Sequence, residues 1–143
     1  MLTYEGANKL LDCLTGRSQN YAYTTVYVGL GLKTYDGQTV APERTGTFLH
    51  EPEGNGYARV LLGTAQQAAT QKMSAAALGA SANTDIIYFP EATGAWGTCK
   101  YFALYSAAEG GTCIAYGELT SEISPIAETV PIIRVNDLKM LIS

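Results

Sequence analysis

The chain carries one histidine, His50, next to Glu51, in a stretch whose glycines, proline and isolated polar residues read as loop. A Ser-His-Asp or Cys-His assembly would have to recruit its other members from distant segments, and no serine or cysteine sits in a nucleophile motif. Carboxylates such as Glu91 and Glu109 are available, but no spacing brings two of them to the separation at which a glycosidase works. No histidine or cysteine cluster has metal-ligand spacing. We expect no catalytic residue, no metal ligand and no cofactor.

Three cysteines, Cys13, Cys99 and Cys113, are an odd number in a chain that opens without a leader, which points to free thiols made in a reducing cytoplasm. If residues 98–106 and 112–119 pair as a hairpin across Ala107-Ala108-Glu109-Gly110-Gly111, Cys99 lies opposite a residue near 118 and Cys113 opposite one near 104. A mismatch of about five positions, at about 3.3 Å each, keeps those two sulfurs too far apart to bond. We read all three as small core residues.

Two glycine-rich runs invite a phosphate-binding reading. Gly54-Asn55-Gly56 is followed by a β-branched and aromatic run rather than a helix N-terminus, so it reads as a tight turn before Tyr57. Gly29-Leu30-Gly31-Leu32-Lys33-Thr34 lacks the glycine directly before Lys33 that a Walker loop needs, and it lies in an alternating strand. Arg59 stands among apolar neighbours on the face of Tyr57 and Leu61, either as a structural pin that pairs with a carboxylate such as Glu91 or Glu118 or stacks on an aromatic ring, or as a ligand contact; we favour the pin. Trp96, bracketed by Gly94 and Gly97, either plugs the end of the core or stacks on a sugar, and we favour the plug. Ten tyrosines supply rigid contact area with a polar end. Tyr101 and Tyr105 share a strand face opposite Phe102 and Leu104, which makes them, with Trp96, candidate interaction or glycan contacts.

These residues need elements to hold them. Leu10, Leu11 and Leu14, with Ala7 a turn earlier, predict an amphipathic helix over 4–14 that Gly16 stops. From Thr24 to Leu32 the period changes to two, as in a half-buried strand. Residues 33–50 read as a long loop or ragged edge, and 57–62 as a strand. The Ala-, Ser- and Gln-rich segment 64–84 is compatible with a surface helix near 65–78 or a flexible excursion. Strands follow at 86–89, ended by Pro90, and in the hairpin turned by Gly110 and Gly111. The last pair is 130–135 and 138–142, around a turn at Asn136-Asp137. Seven or eight short strands with Gly, Pro and Asn between them predict an all-β antiparallel sandwich, Greek-key or jelly-roll-like, with a short N-terminal helix and a single domain over 1–143. Gly54, Gly56, Tyr57, Arg59, Pro90, Gly97, Gly110 and Gly111 are the expected structural set.

Of the 143 residues, 47% are hydrophobic and only 15% charged, below the roughly 25% of ordinary soluble domains, which suggests that protein covers part of the surface. A net charge of −4 with scattered Lys and Arg gives no footprint for nucleic acid. No apolar run approaches the roughly 20 residues of a membrane span, and no signal peptide is expected.

The run Glu51-Pro52-Glu53-Gly54-Asn55-Gly56-Tyr57-Ala58-Arg59-Val60 resembles the EPSGGGYARV signature of a widespread family of phage tail-fibre-like structural proteins. Ile87-Tyr88-Phe89-Pro90-Glu91-Ala92-Thr93-Gly94-Ala95-Trp96-Gly97-Thr98 is similar to that family's ITFPTATADWGTV, and Phe102 to Leu119 continues the likeness. Tyr27-Val28-Gly29-Leu30 matches an early YVGL strand, so the resemblance spans about residues 24–142. Two departures stand out: 64–84 lacks an aromatic residue after the YARV run, and Lys100-Tyr101 replaces smaller residues. The resemblance implies a structural component of a tailed-phage virion, assembled in the bacterial cytoplasm, in the tail tip, fibre or capsid surface including capsid decoration. It would act by assembly as a homo-oligomer with other virion proteins. The alternatives are a receptor- or glycan-binding module reading host-surface glycan and, third, a cell-envelope hydrolase using His50 or Glu91.

Overall fold

A computed structural model describes residues 1–17, 23–46, 50–65 and 67–141. The main sheet holds four antiparallel strands in the order β4 (Val60–Thr64), β1 (Thr25–Leu32), β7 (Cys99–Tyr105), β8 (Cys113–Ile123). Along β1 the period of two puts Val28 and Leu30 on one face, where register sets them beside Leu104 and Phe102 of β7 and, for Val28, beside Val60 of β4. A second layer covers that face. It consists of the ribbon β6 (Ile87–Tyr88) with β9 (Ile132–Ile133) and the pair β5 (Ala80–Ala82) with β10 (Lys139–Leu141). Ile87, Phe89, Ile133 and Leu138 from this layer join Val28, Leu30, Leu62, Phe102 and Leu104 in one core. The fold is all-β and sandwich-like, with one α-helix among the described residues, α1 (Tyr4–Leu14).

Among the described residues ten strands are found, more than the seven or eight expected, because the connections contain two- and three-residue strands with no periodicity to read. In the segment 33–50, Thr34–Tyr35 (β2) and Gln38–Thr39 (β3) form a small hairpin. Its turn residues Asp36 and Gly37 both have positive φ, at 53° and 79°, as a primed hairpin turn requires. Residues 47–49 of that expected loop lie outside the described residues. The strand expected over 57–62 begins only at Val60, since Tyr57 and Arg59 both turn toward Glu51. Residues 130–135 pair only at Ile132–Ile133, and Ile142 of the last expected strand lies outside the described residues.

The helix has the expected span but a different buried face. Thr3 caps it, accepting from Gly6 N–H at 3.2 Å while its own hydroxyl donates to the carbonyl oxygens of Cys113 and Ile114. Gly6 is buried against β8, where a Cβ would overlap the Ile114 carbonyl oxygen. Close approach through that glycine turns Leu11 and Leu14 outward, at 56% and 71% exposure, although the leucine stripe predicts them inside. At 11 residues, α1 is neither long nor apolar enough to cross a membrane.

The Ala/Gln-rich segment is neither a surface helix nor a free excursion. Among its described residues it holds one 3-10 turn at Ala68–Thr70 and the short strand β5 and is otherwise without helix or long strand, and it closes the outer edge of β4: Lys72 N–H donates to Leu62 O at 3.0 Å and Thr64 N–H to Thr70 Oγ1 at 3.0 Å. Gln66 lies outside the described residues. Asn83, fully buried, then ties this strap to the C-terminal segment. Its amide donates to Asp85 O and Arg134 O and its Oδ1 accepts from Leu138 N–H.

The hairpin β7–β8 also differs in register from the simple pairing. Cys113 stands opposite Tyr105, and Cys99 opposite Ile123 rather than a residue near 118, because the register shifts between Cys99 and Tyr101. The three cysteines are free thiols. Burial pushes the Cys99 thiol up to about 12 and the Cys113 thiol up to about 11.

Candidate functional site

The signature residues meet on the face of the main sheet opposite the core, around Gly29. Extended alternation points Gly29 toward the loop 50–59, and a Cβ there would lie 2.7 Å from Glu51 Oε1, 2.8 Å from the Tyr57 hydroxyl and 3.2 Å from Tyr105 Cε2. The absent side chain is the space those three groups occupy. Glu51 Oε1 accepts from the Tyr57 hydroxyl at 2.6 Å and from Arg59 Nε at 3.0 Å; Oε2 accepts from Arg59 Nη2 at 2.8 Å. Tyr57 Oη in turn accepts from Leu30 N–H at 3.0 Å, so the loop is clamped to β1.

Arg59 completes the join to the other hairpin. Its Nη1 donates to Ala107 O at 2.9 Å and Gly110 O at 2.8 Å, and its guanidinium lies 3.4 Å from the Tyr105 ring centroid. The side chains of Arg59 and Glu51 are 9% and 22% exposed. Burial alone would lower the Arg59 pKa, but hydrogen bonding to Glu51 and its charge outweigh that and hold it raised. Burial, then the charge of Glu51, pushes the Tyr57 phenol well above the usual range, and burial does the same for Tyr105. The partner of Arg59 is therefore Glu51. Glu91 and Glu118, the carboxylates favoured from sequence, do not pair with it: Glu118 faces Lys100 instead, at 3.4 Å. The informative signal is that Glu51 and Arg59 flank the Gly-Asn-Gly turn, which folds them together.

That turn is held from its other side by Trp96. Gly54, Asn55 and Gly56 all have positive φ, at 69°, 51° and 82°. Asn55 O accepts from Trp96 Nε1 at 2.8 Å and Thr93 N–H at 2.9 Å, while Asn55 Nδ2 donates to Ala95 O at 2.8 Å. The indole packs edge-on against Tyr57 at 5.2 Å and Phe89 at 6.5 Å between centroids. Pro90 follows Phe89, whose N–H donates to Pro131 O; lacking an N–H, Pro90 interrupts the ladder, which resumes where Ala92 N–H donates to Thr129 O. Gly97 (φ 92°) takes the chain from the indole into β7, and Gly110 (φ 62°) with Gly111 (φ 70°) turns β7 into β8.

Trp96, Tyr101 and Tyr105 are 4%, 8% and 7% exposed. In the chain these rings, the candidate interaction or glycan contacts, offer little surface: the Trp96 ring is packed against Tyr57 and Phe89, and Tyr105 lies under Arg59. A cleft of about 300 Å³ opens beside the network, lined by Glu51, Tyr57, Arg59 and Glu109 among others. Of the charged groups in its wall, Glu51 and Arg59 are engaged with each other. His50 is stacked on Tyr35, with ring centroids 4.2 Å apart and 8° between the planes. Among the described residues, no three of His, Cys, Asp and Glu converge as metal ligands. The arrangement binds two loops to a sheet.

Compared with known proteins, residues 1–140 match the model of the family described as podophage GP4 fiber I protein gp80. No curated protein matches the chain.

Proposed function

Because the chain belongs to the podophage GP4 fiber I protein gp80 family, and is thereby a structural component of a phage virion, we propose that it works by assembly, as a rigid β-sandwich subunit over 1–143 that joins copies of itself and other virion proteins. The observation that carries this reading is the Glu51–Tyr57–Arg59–Tyr105 network. The residues of the signature that could do chemistry are spent on one another, fixing two loops to the main sheet. A subunit that transmits its position to neighbours needs rigid loops more than an open site. The fibre is the place in the particle that the family description favours over the capsid surface, and the same reading assigns the chain no catalysis. Burial of Trp96 removes the ring face that a glycan platform would need, so that alternative has no observation in its favour.

Deleting the gene from its phage and supplying it in trans tests the proposal. Particles made without the chain should lack a defined projection and regain it on complementation. Deleted particles with an unchanged protein inventory and unchanged outline would contradict it.

A further inference from the structure

The ribbon β6–β9 presents its outer face to solvent. Ile87 and Ile133 point into the core, so alternation turns Ile86, Tyr88, Val130 and Ile132 outward, and the register sets Tyr88 beside Ile132. Ile86, Tyr88 and Val130 are 36%, 61% and 49% exposed, and Ile126, in the turn at one end, is 60% exposed. These four leave roughly 400 Å² of side-chain surface in water, within the range of the largest patch of a typical monomer. It is also close to the apolar share, roughly 450 Å², of one side of a standard interface of about 800 Å² per partner.

Charged residues flank this patch at both ends, and exposed Asp85 adjoins Ile86 at one of them. The register that pairs Ile87 with Ile133 sets Arg134 beside Ile86 at one end, exposed and in no ion pair with a described residue. Glu128, also exposed, lies in the turn at the other end, its N–H bonded to Ala92 O. A two-fold axis lying between two such faces and across the strands brings the Arg134 end of one copy onto the Glu128 end of the other, twice over.

We propose that this face is the contact between two copies of the chain, with Tyr88 at its centre and Arg134–Glu128 pairs at both rims. The proposal rests on the assembly reading and names the surface it uses.

Sedimentation of the purified chain at micromolar concentration, with unfolding monitored in parallel, tests it. The wild type should be a dimer. Tyr88→Glu should weaken it at least about 30-fold, the factor that a hot-spot loss of about 2 kcal/mol corresponds to, while the variant stays folded by circular dichroism, since the side chain is on the outside. Arg134→Glu should weaken it about 10-fold, and adding Glu128→Arg should restore it. A monomeric wild type, a dimer indifferent to Tyr88→Glu, or a Tyr88-dependent complex with a different virion protein would each overturn the proposal. A monomer still found in purified virions would do so while leaving the assembly reading in place.

Discussion

Removing the Glu51 carboxylate should cost more stability than removing the Arg59 guanidinium that it holds. In Glu51→Ala, Arg59 keeps its two carbonyl partners but loses both acceptors for Nε and Nη2, and the Tyr57 hydroxyl loses its acceptor. Breaking a buried pair costs about 3–5 kcal/mol, and the 22% exposure of the Glu51 side chain places this case at the lower end, about 3 kcal/mol. At about 3 °C per kcal/mol for a chain of this size, Tm should fall by about 9 °C. Arg59→Met keeps an apolar stem over Tyr105 and strands a carboxylate that water can reach, so about 2 kcal/mol is expected. The double variant should be less destabilised than the two singles summed, by about 1.5 kcal/mol or more. Urea unfolding followed by far-UV circular dichroism supplies all four corners of the cycle. Additivity within about 0.5 kcal/mol, or a Glu51→Ala loss below that figure, would refute the idea that these residues act as one clamp.

Gly29→Ala should destabilise by about 2 kcal/mol, because its Cβ would meet Glu51 Oε1 at 2.7 Å and the Tyr57 hydroxyl at 2.8 Å; an unchanged urea midpoint would mean the loop yields freely. Trp96→Ala should cost about 3–5 kcal/mol, from lost burial and the indole bond to Asn55 O; native-like thermal stability would show that the indole is dispensable to the core. Alkaline pH should weaken the fold. Tyr57 and Cys99 have folded-state pKa values raised above their unfolded ones, so the unfolded chain loses protons first and the stability they contribute, complete below about pH 9, declines as pH climbs. The slope is about 1.4 kcal/mol per pH unit per group once each titrates, near 9 for the thiol and near 10 for the phenol. A urea midpoint constant from pH 8 to 11 would contradict it.

The strands that sequence exposes are those with a face to bury. β1 alternates over eight residues, and β7 carries Phe102 and Leu104 against Tyr101 and Tyr105, so both are readable from period alone. The strap 64–84 is not, because its task is to satisfy the main-chain edge of β4 with Lys72 N–H and Thr70 Oγ1, and main-chain bonding leaves no side-chain period. The helix is legible in span and misleading in face, since the residue that seats it, Gly6, has no side chain to count. At the signature site, sequence identifies Tyr57, Arg59 and the glycines but not the ring closed by Glu51. Two loops and the vacancy at Gly29 build that contact, and pairing Arg59 with its partner requires the turn to be folded first. Trp96 reads correctly as a core plug, whereas Tyr105 is covered by an arginine whose reach from residue 59 no local pattern announces.

Quantitative mass spectrometry of purified particles tests the central claim most directly, that this chain is a working part of the virion through assembly. The chain should be present in several copies per particle and remain bound through a density gradient. Abundance in the infected lysate with absence from gradient-purified particles would contradict the account.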